Sequence, residues 1–344
     1  MVLTKICLNR FTVFNTKTEI VFSPGINVFI GENGTGKTHI MKLLYSACQA
    51  AQAKTTSITF PLKTVRVFRP NEFKISRLVS RRAGNDSSSV QVFSGKNYIK
   101  MDFNRKTKNW DAKVTNSTSW EKEYSELTST FIPSKEILSN SKNLISAIDK
   151  GNVDFDDTYK DIISTASIDI NKGPETDSIK KYLSKLQKIT EGRVKVKDEE
   201  FYLLPTGSTA TALEFQLVAE GLRKIALLWQ LIKNGTLEKG SILFWDEPEA
   251  NINPKNIPAI VDLLLDLQED GVQIFIATHD YFLAKYLDAR KKKRHEITYH
   301  ALYKSEPDET IKHESENDFA LLENNSILSQ SIDLYKEEVK KVME

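Results

Sequence analysis

Cysteine is scarce: the 344-residue chain holds two, Cys7 and Cys48. Two thiols make neither a disulfide framework nor a metal site, which suits a reducing cytosol. No stretch approaches about 20 uninterrupted apolar residues, so no membrane-spanning helix is expected. Lys5, Asn9 and Arg10 break the apolar core that a signal peptide would need, so the expected location is cytoplasmic. Internal repeats and long heptad runs are lacking too. Excess charge of either sign is small, a formal net charge of +2, and does not by itself call for a polyanionic partner. The length suffices for a full α/β core with one inserted subdomain.

Against these absences stands Gly31-Glu-Asn-Gly-Thr-Gly-Lys-Thr38, preceded by the apolar run Ile26–Ile30. This is the G-x-x-x-x-G-K-[ST] phosphate loop, with a strand before it and a helix expected after it. Its glycines let backbone N–H groups close around phosphate oxygens, and the following helix dipole adds to the attraction. Asn33, Gly34, Thr35, Gly36, Lys37, Thr38 and His39 are therefore the candidate nucleotide contacts. Lys37 would reach the β- and γ-phosphates, and the Thr38 hydroxyl would hold Mg²⁺.

Strands are expected at 3–8, 18–22 and 26–30, and a helix from Thr38 to about Ala53. Val65-Arg-Val-Phe68 reads as another strand, and the segments 90–93, 97–103 and 110–114 as a β-meander after the turn-rich stretch 83–89. From Pro133 to Thr190 the pattern is helical, with Ile179, Tyr182, Leu183, Leu186 and Ile189 forming one core stripe. Beyond Phe201–Leu204 the expectations are a helix over 220–233, a buried strand over 241–245, a helix over 256–270, a buried strand over 272–278, a helix from Asp280, a hairpin over 296–315 and a terminal helix over 326–344. Such alternation builds a parallel sheet whose ligands sit at the carboxyl ends of its strands. The expected division is an ATPase core formed by 1–89 and 201–344, with 90–200 as an inserted β-meander and helical subdomain.

The strand Ile242-Leu-Phe-Trp ends in Asp246-Glu247. A buried strand fixes its last residue rigidly, so Asp246 can position Mg²⁺, usually through water, while Glu247 polarises the attacking water. Pro248–Pro254 follows, containing Asn251 and Asn253. After another helix and strand comes His279, where a sensor of the γ-phosphate is expected.

Together these residues resemble the ATP-binding-cassette superfamily, specifically its soluble branch of SMC-, RecF- and OLD-like AAA-family ATPases, a kind found in bacterial anti-phage defence systems. Phe11 and Phe14 ahead of the phosphate loop are similar to that branch, as are the Walker B plus D-loop run Asp246–Pro254 and the H-loop pair Thr278-His279. The matching segments cover roughly residues 1–50 and 200–285. The resemblance implies a P-loop α/β fold of ABC-ATPase type, with an N-terminal antiparallel β element and the inserted subdomain. It also implies a signature loop acting on the partner subunit's nucleotide. Val218-Ala-Glu-Gly-Leu-Arg-Lys224 is the best match, with Ala219, Glu220 and Gly221 as the residues acting in trans. Ala219 stands where the family has serine. Arg223 or Lys224 is either a replacement charge or a solvated helix residue. The family's Q-loop glutamine has no clear counterpart; Asn71 and Gln91 lie in the region and neither is assigned.

The implied mechanism is a homodimer, or a higher homo-oligomer, that sandwiches ATP and Mg²⁺ between phosphate loop and signature loop and relaxes on hydrolysis. The expected role is control of a nucleic-acid-directed or defence effector, a nuclease or toxin on another chain, because 286–344 is short and lacks a metal constellation, and no long coiled-coil arm is visible in the sequence. A slowly hydrolysing ATP-gated scaffold is the alternative. A transporter subunit is disfavoured by the D-loop, the degenerate signature and the insertion. DNA or RNA is a candidate partner through the basic segment 63–113, where thirteen Lys or Arg face four Asp or Glu. Arg66, Arg69, Lys74, Arg77, Arg81 and Arg82 form its first half; Lys100, Arg105, Lys106 and Lys108 in the second are the named candidates. A solvated basic face explains the segment equally well. The run Arg290–Arg294 is read as cations at a helix end.

Overall fold

Alternating apolar residues in the first strands bury one face each, and the continuous apolar runs further on bury both. The computed structural model describes residues 2–52, 57–81, 86–207 and 211–343. The chain opens with β1 (Lys5–Phe11), β2 (Phe14–Val21), β3 (Ile26–Gly31) and α1 (Lys37–Ala50). The expected end of this helix, Ala53, lies outside the described residues, as do Arg82 and residues 83–85 of the turn-rich stretch.

The next element corrects an expectation. Val65–Phe68 is not a strand but the second half of helix α2 (Phe60–Phe68). Thr59 caps it by accepting from the Leu62 N–H at 3.4 Å, and Pro61 sits in its first turn, both helix-start features. The β-branched run suggested a strand, but burial follows the helical period, with Phe60, Thr64, Val65 and Val67 inward.

β4 (Ser87–Ser94), β5 (Asn97–Asn104) and β6 (Lys113–Thr115) form the expected meander. It extends the first two strands, giving one antiparallel sheet of order β2-β1-β4-β5-β6. After α3 (Ser117–Tyr124), the short β7 (Ser129–Ile132) joins a different sheet. Helices α4 (Leu144–Asp149), α5 (Asp157–Ala166) and α6 (Asp177–Thr190) follow, then the hairpin β8 (Gly192–Lys197) and β9 (Glu200–Pro205) with β10 (Leu213–Glu214) beside it. The segment 90–200, expected as one inserted unit, is thus distributed over three parts of the fold.

The chain then runs through α7 (Glu220–Lys233), β11 (Ile242–Asp246), α8 (Ile257–Glu269), β12 (Gln273–Ala277), α9 (Tyr281–Arg290), the hairpin β13 (Ile297–Ser305) and β14 (Thr310–Glu316), and α10 (Ser326–Met343). These elements match the expected positions to within a residue or two. The central sheet has the order β14-β13-β3-β12-β11-β7, parallel except for β14. Alternate residues of its strands feed two cores. Phe29, Phe244 and Phe275 pack toward α1 and the antiparallel sheet, whereas Val28, Trp245 and Ile276 pack toward α6–α9. The expected stripe lies on α6, where Tyr182, Leu183 and Leu186 are buried. No described helix is long and apolar enough to cross a membrane.

Candidate functional site

The parallel register places three strand ends in one row: Phe29 pairs with Ala277, and Ala277 with Asp246. Backbone bonds extend the row, from Thr278 N–H to Phe29 O at 3.0 Å and from Glu247 N–H to Ala277 O at 2.8 Å. The phosphate loop, the acidic pair and His279 are therefore brought to the same edge.

Within the loop, Gly36 has φ 97°, and a Cβ there would lie 2.7 Å from the Phe14 ring. Only glycine fits that backbone against that ring, which gives Phe14 a structural reason to precede the loop. Thr35 is buried, its hydroxyl donating to Glu32 O at 2.9 Å, while Asn33 and Gly34 form the exposed tip. The Lys37 ammonium donates to Gly31 O at 2.8 Å and Glu32 O at 2.9 Å, inside the loop. Burial pushes its pKa down to about 8 against the pull of Asp246, Glu247, Glu249 and Glu32. The His39 ring bonds to the Thr12 hydroxyl (2.9 Å) and packs against Phe68, on the wall of a cavity beside the loop.

The Thr38 hydroxyl donates to both carboxylate oxygens of Asp246, at 3.0 and 3.1 Å, joining residues 208 positions apart. Asp246 is 8% exposed, and burial raises its pKa to about 6. A hydroxyl and a carboxylate oxygen are hard donors that leave room for waters, a set that suits Mg²⁺. Glu247 follows with φ 48°, an unfavourable region for a side-chain-bearing residue and one met at functional sites. Its Oε1 lies 4.0 Å from His279 Nε2, and both side chains remain partly exposed. Burial and the Lys37 charge lower the His279 pKa, which favours its neutral form.

Ala219 is exposed at the start of α7, followed by half-buried Glu220 and Gly221. Gly221 is needed for packing, because a Cβ there would lie 2.3 Å from Asn251 O in the D-loop. Asn251 has φ 63°, and Asn253 accepts from Lys255 N–H at 3.0 Å to start the next helical turn. Neither reading of Arg223 and Lys224 holds. Arg223 pairs with the buried Glu136 at 2.6 Å and donates to Phe215 O and Val218 O. Lys224 is 2% exposed and faces Glu247 O at 3.4 Å. Neither is solvated, and neither is free for a partner's phosphate.

Glu136 and Glu249 were not anticipated. Glu136 follows β7 and meets Arg223 on α7; Glu249 lies in the D-loop run itself, masked by its neighbours' clearer roles. Asn71 lines a cavity of about 600 Å³, and Gln91 on β4 pairs with Cys7 and Lys100. That cavity adjoins the phosphate loop through Gly34 and His39 and is closed by Val13, Phe68 and Arg77. A larger cavity, about 730 Å³, lies near the opposite end of the sheet, between Thr4, Glu123 and Ser241.

In the basic segment, Lys100 pairs with Asp102 at 2.8 Å and Arg105 with Asp86 at 3.4 Å. Lys106 and Lys108 are exposed on the β5–β6 loop with no ion-pair partner among the described residues. In the run at the end of α9, Arg290 pairs with Asp262, Lys291 with Asp288 and Arg294 with Glu269, while Lys292 and Lys293 are exposed.

Comparison with known proteins agrees with this geometry. Residues 26–285 match the family described as "AAA domain, putative AbiEii toxin, Type IV TA system". DNA replication and repair protein RecF of Streptococcus thermophilus is 26% identical over 108 residues, 31% of this chain and 28% of the RecF chain. The match thus spans little more than a quarter of that relative. Among solved structures, the SmcHead bound to the C-winged helix domain of ScpA aligns with TM-score 0.60 at 14% identity, covering 92% of this chain and 98% of that one. An Smc head domain with a coiled coil and joint from Pyrococcus yayanosii gives TM-score 0.56 at 11% identity, covering 91% and 97%. At such identities the likeness is one of fold. The chain belongs to the family described as AAA domain, putative AbiEii toxin, Type IV TA system, and its fold is like that of SMC head domains.

Proposed function

We propose that this chain binds ATP with Mg²⁺, hydrolyses it, and uses the cycle to switch a dimer that controls an effector on another chain. The observation that carries the reading is the bond from Thr38 to both oxygens of Asp246, with Lys37, Glu247 and His279 on the same edge. The triphosphate would lie over the loop N–H groups, with the base in the cavity lined by Val13, His39 and Phe68. Mg²⁺, when bound, would supply charge neutralisation for the phosphates. Thr38 and Asp246 would hold it, and Lys37 would offer a second positive charge to the developing phosphate oxygens. Glu247 orients a water and accepts its proton as the water oxygen attacks the γ-phosphorus. The bond from that phosphorus to the bridging oxygen breaks, leaving ADP and inorganic phosphate. Neutral His279 can donate to a γ-phosphate oxygen.

Support for a dimer comes from what is exposed at this edge. Ala219 and Glu220 begin a helix, and Leu217 before them is 72% exposed. Phe282, in the first turn after His279, is 53% exposed. An apolar side chain beside each half-site suits a face that a second copy covers. The family description, naming a toxin–antitoxin system, supports a defence effector, and the RecF likeness supports nucleic acid as a ligand.

The test is the solution mass and turnover of Glu247→Gln. This variant is expected to bind ATP·Mg²⁺, to hydrolyse it at least about 100-fold more slowly than wild type, and to dimerise only with nucleotide. Hydrolysis at the wild-type rate would remove Glu247 from its role. A monomer under saturating ATP would remove the two-copy sandwich.

A further inference from the structure

We infer that Glu249 is a positioning residue that ties the orientation of His279 to the D-loop, and through it to the start of α7; this rests on the hydrolysis reading above. The carboxylate is largely buried between two strand ends. Its Oε1 accepts two bonds from the H-loop, one from the Thr278 hydroxyl at 2.8 Å and one from the His279 backbone N–H at 3.2 Å. Thr278 Oγ1 in turn accepts from Asp280 N–H at 3.0 Å, and Asp280 caps α9 through Leu283 N–H at 2.6 Å. One carboxylate thus fixes the backbone from which the His279 ring projects, 4.0 Å from Glu247.

The other end of the link is equally close. Two residues after Glu249, the Asn251 carbonyl lies against Gly221, leaving no room for a Cβ. Lys224, one helical turn on in α7, points its ammonium toward Glu247 O and feels the charges of Glu249 and Glu247. A shift of the α7 start therefore cannot leave the D-loop in place, and a shift of the D-loop carries His279 with it. Interlocked close packing transmits displacement instead of absorbing it. Glu249 pays for this with a carboxylate oxygen, Oε2, that is buried and makes no hydrogen bond among the described residues. A polar atom left so is costly, and the pattern suits a residue kept for position more than for stability.

The experiment uses the full chain and compares Glu249→Ala, Glu249→Gln and Thr278→Val. Glu249→Ala should lower kcat about 10–100-fold, the scale of a misplaced catalytic group, with the Kd for ATP within about 3-fold of wild type. Glu249→Gln keeps an oxygen acceptor for both bonds and should restore most of kcat. A wild-type kcat in Glu249→Ala, or a fall matched by lost ATP affinity, overturns the inference. Should Glu249→Ala not fold, Thr278→Val removes one of the two bonds, and an unchanged kcat there also overturns it.

A second readout is independent of turnover. The chain has five histidines, so the His279 ring signal can be assigned by NMR from its loss in His279→Gln. That signal should shift and broaden in Glu249→Ala and return in Glu249→Gln; an unmoved signal in Glu249→Ala overturns the positioning role. A wild-type chain that binds but does not hydrolyse ATP sinks the hydrolysis reading instead, and the His279 signal then decides this one.

Discussion

At the scale of single residues, burial sets the protonation of the groups that matter. It lowers the Lys37 ammonium to about 8 and lifts the Asp246 carboxyl to about 6. Lys37→Ala is expected to abolish measurable ATP binding by titration calorimetry; retained affinity would displace Lys37 from the phosphate site. Three other buried groups govern acid stability. His39 and His313 are lowered to about 4, and His300 well below its usual value, all chiefly by burial. Below about pH 6.5 the unfolded chain gains protons there that the folded chain refuses, so stability should fall as pH drops from 6.5 toward 4. His313→Gln should remove up to about 1.4 kcal/mol per pH unit of that slope, measured as urea midpoints between pH 7 and 5. That Lys37, Asp246, Glu247 and His279 share one edge was legible because each has a fixed spacing to a strand end. The motif says nothing about side-chain direction, and the structure supplies it for His39: Thr12 and Phe68 hold its ring on the wall of the cavity beside the loop.

At the scale of elements, the register of β3, β12 and β11 does the assembling, and helix starts do the fine placement. Gly221→Ala is the sharpest probe, since its Cβ would meet Asn251 O at 2.3 Å. It should cost about 1–3 kcal/mol of stability and slow hydrolysis; an unchanged Tm and turnover would show that α7 and the D-loop are free of one another. The long apolar strands and periodic helices were readable because burial on both faces, or on one stripe, leaves a strong pattern. Helix α2 was not, because Val65-Arg-Val-Phe68, with three of its four residues β-branched or aromatic, fits either period. Its lysine decides the matter only in three dimensions, where Lys63 reaches Asp157 at 3.0 Å and Asp161 at 2.6 Å on α5. The buried Arg223–Glu136 pair was hidden for the same reason: its members lie 87 positions apart, and no local pattern connects them.

At the scale of the whole molecule, charge is mostly spent within the chain. Of the four cations proposed for nucleic acid, Lys100 and Arg105 already have carboxylate partners, leaving Lys106 and Lys108 on the β5–β6 loop. If this face binds DNA or RNA, Lys106→Ala with Lys108→Ala should weaken it nearly as much as replacing all four. The slope of log K against log salt should then fall by about one unit per lost phosphate contact. Identical binding and slope would leave the loop a solvated face.

The strand order carries a consequence for synthesis. In the central sheet β12 lies between β3 and β11, although it is the last of the three to be made. A growing chain stopped before Gln273 holds the phosphate loop and the acidic pair but no strand to set them side by side. Nucleotide affinity is therefore expected only once Gln273–Ala277 has been made and has paired with both neighbours. Bound nucleotide would then hold together two segments, the phosphate loop and the acidic pair, that were made far apart in time.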